Sequence, residues 1–361
     1  MITKDFTSVC AWLGLCGLLL ASPAQAAAPN EDKGQFLGSI ATEYPAWFKE
    51  SFLHLKEDVA EAAAAGKRVM VIFHQNGCPY CNALVERNLS QKDIEDAVRK
   101  QFDVVAINMW GDREVSGLDG KHYTEKSFAA ANKVQFTPTI LFFDEAGQVV
   151  LRLNGYLPPA RFKTAIDYVG QRQEKALSFR DYAAAHEPAP AKSEMHQEAF
   201  FHPAPFDLSR KSNAKGQPIA LFFEQKDCPA CDELHTKVLP DPATRRIIGK
   251  FLAVQLNMWG NDAVITPDGK RTTAREWAKA LDVKYAPTIV LLDAGGKEII
   301  RSEAFFKVFH TQGIFTYVES GAYKKEPSFQ RYLEGKADAI RQTGKDVDIW
   351  RQADEPAGKR P

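Results

Sequence analysis

No long run of lysine and arginine occurs in this 361-residue chain, and 46 basic residues balance 46 acidic ones to a formal net charge of zero. Nucleic-acid binding needs a basic stripe and adhesion to an anionic membrane needs a polybasic segment, so both classes are set aside. A membrane-spanning run is also missing. Residues 9–21 form an uninterrupted stretch of thirteen apolar or small residues, short of the roughly 20 that cross a bilayer. Cysteine is sparse, at six residues, too few for a small disulfide scaffold. At this length a core of normal size forms in each of two domains.

The N-terminus carries most of the compartment information. Lys4, the apolar run 9–21, then Ser22, Pro23 and Ala24-Gln25-Ala26 have the order of a cleavable export signal ending in a small-x-small site. Removal of residues 1–26 takes Cys10 and Cys16 with it. The mature chain then keeps Cys78, Cys81, Cys228 and Cys231, two CxxC pairs in an exported, oxidising setting.

The chain repeats itself. Val71-Ile-Phe-His-Gln-Asn-Gly-Cys-Pro-Tyr-Cys81 matches Leu221-Phe-Phe-Glu-Gln-Lys-Asp-Cys-Pro-Ala-Cys231. Asn108-Met109-Trp110-Gly111 returns as Asn257-Met258-Trp259-Gly260, Thr137-Pro138-Thr139-Ile140 as Ala286-Pro287-Thr288-Ile289, and Ser178-Phe179 as Ser328-Phe329. The offset holds at 149 or 150 over a hundred residues, which identifies a tandem duplication. The expected organisation is a first domain over 35–185, a Pro-rich and polar linker over 186–205, and a second domain over 206–355.

Within each copy the pattern is α/β. In the first, strands are expected over 68–73, 102–108, 139–143 and 148–153. A helix opens at the CxxC and runs to about 88, another starts near Thr124, and a last one spans about 159–171. An Asp119-Gly120 turn marks a hairpin, and Thr273-Ala-Arg-Glu276 reads as a capping box. Phe48, Phe52, Leu53, Leu55, Val59 and Ala63 recur at roughly helical spacing, which predicts an amphipathic helix over 43–65 ended by Gly66. The whole predicts, in each copy, a central mixed sheet flanked by helices.

A CxxC between a strand and a helix has a physical reason to be redox-active. The first cysteine, Cys78 or Cys228, sits at the helix N-terminus, where unpaired N–H groups and the dipole favour a thiolate that attacks disulfides. The second, Cys81 or Cys231, lies one turn on and resolves the mixed disulfide. Pro79 and Pro229 occupy the first turn, where no hydrogen bond is lost. Zinc binding fits poorly, because paired CxxC ligands stand some 15–20 residues apart and these stand near 150 apart. A purely structural role fits poorly as well, since so short a loop stabilises little.

This constellation resembles the thioredoxin superfamily over nearly the whole mature chain, twice. The resemblance implies a cis peptide before Pro138 and Pro287, each facing its CxxC. Thr137, Pro138, Ala286 and Pro287, with Pro79, Tyr80, Pro229 and Ala230, would shape the substrate clefts. It implies protein substrates carrying disulfides, no cofactor and no metal. The second copy, with Asn257-Met-Trp-Gly260 and the ending Gly321-Ala-Tyr … Pro327-Ser-Phe-Gln-Arg-Tyr332, resembles the periplasmic SoxW-type thioredoxins. That likeness implies a periplasmic reductase fed by a membrane thiol-electron transporter. An oxidase or isomerase is the alternative within the class. A copper or haem-assembly metallochaperone, with His235 or His310 as distal ligand, is the alternative outside it.

The departures are specific. The dipeptides are Pro-Tyr and Pro-Ala, where thioredoxin has Gly-Pro. The superfamily's buried aspartate, six residues before the first cysteine, is replaced by Ile72 and Phe222. Glu224 and its counterpart His74, four residues before each first cysteine, are the candidates for proton transfer.

Overall fold

The computed structural model describes residues 33–186 and 194–353. The proposed export signal and residues 187–193 of the expected linker lie outside the described residues. In chain order the first copy comprises β1 (Phe36–Leu37), α1 (Leu55–Ala64), β2 (Arg68–His74), α2 (Pro79–Ala83), α3 (Lys92–Gln101), β3 (Phe102–Asn108), β4 (Glu114–Ser116) and β5 (His122–Thr124). It continues with α4 (Glu125–Ala131), β6 (Thr139–Phe143), β7 (Val149–Asn154), α5 (Pro159–Gly170) and α6 (Phe179–His186). The second comprises β8 (Phe206–Asp207), β9 (Ile219–Glu224), α7 (Pro229–Lys237), α8 (Pro242–Ile248), β10 (Leu252–Asn257), β11 (Ala263–Ile265) and β12 (Arg271–Thr273). It ends with α9 (Ala274–Ala280), β13 (Thr288–Leu292), β14 (Glu298–Ser302), α10 (Val308–Glu319), α11 (Phe329–Arg341) and β15 (Val347–Asp348).

Each copy builds a four-stranded mixed sheet of the same order, β3-β2-β6-β7 and β10-β9-β13-β14. The first pair is parallel and the other two antiparallel. The central strands β2 and β9 are buried on both faces, which is why their sequences are continuous apolar runs. The helix opened by the first CxxC continues through a π-helical turn, Leu84–Leu89. The capping interaction anticipated at Thr273 is present, its side chain accepting from Glu276 N–H. The fully reciprocal box occurs in the first copy, between Thr124 and Ser127.

The helix predicted over 43–65 is shorter, and starts at Leu55. Leu53 sits at φ 62, a left-handed conformation that no helix carries through. Ser51 Oγ accepts from Leu53 N–H and donates to Asp58, fixing the entry to α1. Phe52, counted in the apolar stripe, is 91% exposed. Trp47 and Phe48 instead pack on the first core from a turn, in which Phe48 N–H donates to Pro45 carbonyl, and Lys49 N–H donates to Val104 carbonyl. The second copy repeats this device: Phe200 and Phe201 pack at Phe222, and His202 N–H donates to Ala253 carbonyl, the partner of Val104 under the duplication. Residues 196–202 of the expected linker thus hold to the second copy.

The copies embrace through equivalent residues. Asn154 Nδ2 donates to Glu303 Oε2, and Gly155 (φ +89) lies so close to Ala304 that a Cβ there would approach the alanine methyl to 2.9 Å. Each pair is related by the 149-residue offset, the reciprocity expected of an isologous, pseudo-two-fold contact. Phe136 enters the core of the second copy, and its counterpart Tyr285 enters the core of the first. β1 of the first copy also pairs in parallel with β15 of the second.

Candidate active site

Cys78 and Cys228 are the N-cap residues of α2 and α7, because a proline follows each and the backbone turns from extended to helical there. Both CxxC pairs are disulfide-bonded, with Cα–Cα separations of 5.3 and 5.1 Å. In each, the backbone N–H of the second cysteine points at the first sulfur: Cys81 N lies 3.1 Å from Cys78 Sγ and Cys231 N 3.1 Å from Cys228 Sγ. This is the donor geometry that stabilises a thiolate once the disulfide opens. Thr137–Pro138 and Ala286–Pro287 are both cis. At the first site the loop touches the sulfur: Thr137 Oγ1 donates to Cys78 Sγ at 3.3 Å, and the Thr137 carbonyl oxygen is 3.4 Å away. Ala286 has no hydroxyl, so the second site lacks that donor.

The two candidate proton carriers have different settings. Glu224 is 1% exposed. Its carboxylate accepts from His235 Nε2 at 3.0 Å and from Gln255 Nε2 at 2.9 Å, while His235 Nδ1 lies 3.0 Å from Glu198 Oε1. Burial works to lower the His235 pKa, but the hydrogen bonds and charges of Glu224 and Glu198 outweigh it and raise it above the usual value. His235, on α7 one turn beyond Cys231, is the part of this network that the sequence reading placed only as a metal ligand. No group of three or more His, Cys, Asp or Glu among the described residues is arranged to hold a metal ion. His74 has no such partner among the described residues; burial lowers its pKa, and its ring lies 4.6 Å from that of Tyr44.

The surroundings of the two CxxC dipeptides also differ. Pro229 is exposed and Ala230 partly so, whereas Pro79 and Tyr80 are buried. Tyr80 inserts between Phe306, His310 and Trp350 of the second copy, with ring centroids 4.8–5.4 Å apart, and its hydroxyl accepts from Lys307 N–H at 2.9 Å. Each C-terminal helix crosses to the tryptophan beside the other copy's site: the Arg331 guanidinium lies over Trp110 and that of Arg180 over Trp259. Arg161 donates to the carbonyl of Ala286, just before the second proline, so the first copy braces the cis-proline loop of the second. None of these cross-contacts has a local sequence signal.

His310, the counterpart of Arg161, gives a pH prediction. Burial against Tyr80 and Phe306 pushes its imidazole down to about 4, and Nδ1 has no hydrogen-bond partner among the described residues. The ring is neutral in the fold and would gain a proton on unfolding, so its contribution is full above the ordinary value near 6.5 and is lost as pH falls towards about 4. Thermal unfolding of the wild type should therefore decline more steeply between pH 6.5 and 4.5 than that of His310→Phe. Parallel curves for the two would remove His310 as the cause.

Two strand–CxxC–helix units, each with its disulfide and a cis-proline loop, define a thioredoxin-like thiol–disulfide oxidoreductase. The model of the thioredoxin-like domain family matches residues 55–170 and 209–307, and the chain belongs to that family. The curated thiol:disulfide interchange protein DsbD of Salmonella typhi is 31% identical over 87 residues, 24% of this chain. The chain spans only 14% of that relative's length. Solved structures that match include a thioredoxin-fold protein from Helicobacter pylori (21% identity, 43% of this chain and 88% of that one, TM-score 0.30). Another is a thioredoxin from Thermus thermophilus (23%, 45% and 99%, TM-score 0.26). The oxidised C-terminal domain of DsbD from Neisseria meningitidis also matches (17%, 32% and 91%, TM-score 0.25).

Proposed function

We propose that this protein is an exported, periplasmic thiol–disulfide oxidoreductase that reduces disulfides in substrate proteins. Cys78 and Cys228 are the attacking thiolates, Cys81 and Cys231 resolve, and Thr137–Pro138 and Ala286–Pro287 line the substrate clefts. The observation that carries this reading is the pair of helix-N-terminal sulfurs, each facing a backbone N–H at 3.1 Å. In one cycle the first thiolate attacks a substrate disulfide and releases one substrate thiol. The second cysteine then displaces the other, leaving the CxxC oxidised and two electrons on the substrate. No cofactor is required, because the electrons travel as thiols.

Export is supported by the apolar run 9–21 with its small-x-small site. The reducing direction, and supply of electrons by a membrane thiol transporter, are supported by the resemblance of the second copy to SoxW-type thioredoxins and by the 87-residue similarity to DsbD. Among the described residues no helix is long and apolar enough to cross a membrane, so the transporter would be a separate protein or a separate segment.

The test is the state of the four cysteines in growing cells, trapped in acid and read by a thiol-modifier gel shift. Mostly reduced pairs are expected, since a reductase in an oxidising compartment must be kept charged with electrons. Mostly oxidised pairs, with potentials near −120 mV rather than near or below roughly −230 mV, would make it an oxidase.

A further inference from the structure

The duplication makes two CxxC sites, and among the described residues their surroundings differ. Helices α6 and α11 start at equivalent Ser-Phe pairs. α11 runs from Phe329 to Arg341 and leads to β15, which pairs with β1. α11 and the residues around the β1–β15 pair close over the first site. The result is a cleft of about 620 Å³ with Cys78 and Thr137 on one side and α11, Phe36 and Ile349 on the other. That volume lies in the range of small-molecule sites, about 300–1,000 Å³. The N-terminal segment tightens the entrance, because Ile40 N–H donates to Gly77 carbonyl just before Cys78. The α11 wall presents both signs of charge along its length, Arg331, Glu334, Asp338 and Arg341. At the second site the dipeptide after Cys228 stands open to solvent, Pro229 exposed and Ala230 partly exposed.

We infer that the two sites divide the substrates by size. The first takes slender, low-molecular-weight peptide disulfides whose free amino and carboxyl ends meet the mixed charges of α11. The second takes folded protein disulfides. This rests on the proposed reductase reading and refines it. The chemistry is the same at both sites. With a dithiol donor holding the CxxC reduced, the Cys78 thiolate attacks one sulfur of R–S–S–R, forming Cys78–S–S–R and expelling RS⁻. Cys81 then attacks Cys78 Sγ, forming the Cys78–Cys81 disulfide and expelling the second RS⁻. The two protons shed by the cysteines end on the two product thiols. α11 supplies no reacting atom; Arg331 and Glu334 are specificity-determining residues contributed to the first site by the second copy.

The experiment uses two full-length variants, Cys228→Ser/Cys231→Ser, with only the first site, and Cys78→Ser/Cys81→Ser, with only the second. Each is reduced, and its reoxidation rate is measured with insulin and with the disulfide dimer of Gly-Cys-Gly, either free-ended or capped at both termini. The ratio of free tripeptide to insulin rates should be about tenfold or more higher for the first site than for the second, the discrimination one shaped pocket supplies. In the first-site variant, Arg331→Ala or Glu334→Ala should reduce the preference for free-ended over capped tripeptide severalfold, and should leave the second-site variant unchanged. Equal tripeptide-to-insulin ratios at the two sites would overturn the division while leaving the reductase reading standing. A preference for free ends that ignores both α11 substitutions would overturn the role of the helix. A first site that reacts with none of the three disulfides would instead sink the reductase reading there, and this inference with it.

Discussion

Replacing Cys78 and Cys228 together by serine should lower insulin reduction by about a thousandfold or more, because the thiols left, Cys81 and Cys231, lie one turn inside the helix and have no second thiol to resolve a mixed disulfide. The serine hydroxyl is not ionised at neutral pH, and the N–H of Cys81 or Cys231 that would steady a thiolate has none to steady. Each single substitution should remove one site and spare the other. The complementary substitutions Cys81→Ser and Cys231→Ser should keep the attacking sulfur and lose the resolving one. Substrates then remain bound as mixed disulfides, visible as adducts on a non-reducing gel that dithiothreitol removes. Retention of more than a tenth of wild-type insulin reduction by the Cys78→Ser/Cys228→Ser protein would show that the chemistry lies elsewhere.

Tyr80→Ala should be the most destabilising single change outside the two sheets' cores. Tyr80 is 4% exposed, although it belongs to a CxxC dipeptide, a place where side chains ordinarily face substrate. Its ring fills a slot made by Phe306, His310 and Trp350, and its hydroxyl accepts from Lys307 N–H. Truncating a buried aromatic removes its transfer energy and leaves a cavity, together about 3–5 kcal/mol. Tyr80→Phe keeps the ring and loses one hydrogen bond, about 1 kcal/mol. Urea unfolding of the oxidised proteins distinguishes them. Because Tyr80 joins the copies, the alanine variant should also split one cooperative transition into two, as each copy keeps its own sheet. A loss below about 1 kcal/mol for Tyr80→Ala would mean that this contact does not hold the copies together.

The parts of the fold set by local pattern were legible. β2 and β9 read as buried strands because residues 69–73 and 219–223 are unbroken apolar runs, as strands covered on both faces require. The CxxC helices read correctly because a proline after an N-cap cysteine has one comfortable backbone solution. The region 43–65 misread for an equally local reason. Periodicity counts apolar residues but carries no information on Leu53's left-handed backbone, which cuts the pattern before α1. The aromatic clips Trp47-Phe48 and Phe200-Phe201 were repeated elements too. They stand about 153 apart rather than 149 or 150, and so fell outside the register that revealed the duplication.

At the sites, the cysteines and prolines were legible because their chemistry depends on neighbours three residues away and on one loop. Glu224 was visible as a candidate, but its partners His235, Glu198 and Gln255 come from separate segments and meet only in the folded second copy. The Pro-Tyr and Pro-Ala dipeptides differ in sequence, yet nothing in the letters says that Tyr80 is buried under another domain.

By itself, then, the sequence determined that there are two copies, that each is a mixed sheet opening into a CxxC helix, and that four cysteines serve both. These follow from short-range rules: alternation, helix capping, thiol chemistry at a helix N-terminus. Only the tertiary structure decided that the copies are unequal. The first site is a cleft because α11 of the second copy lies across it and because β1 and β15 pair beside it. Those contacts join residues some 200 to 300 positions apart, and no local pattern encodes a distance that only the packing of one copy on the other creates.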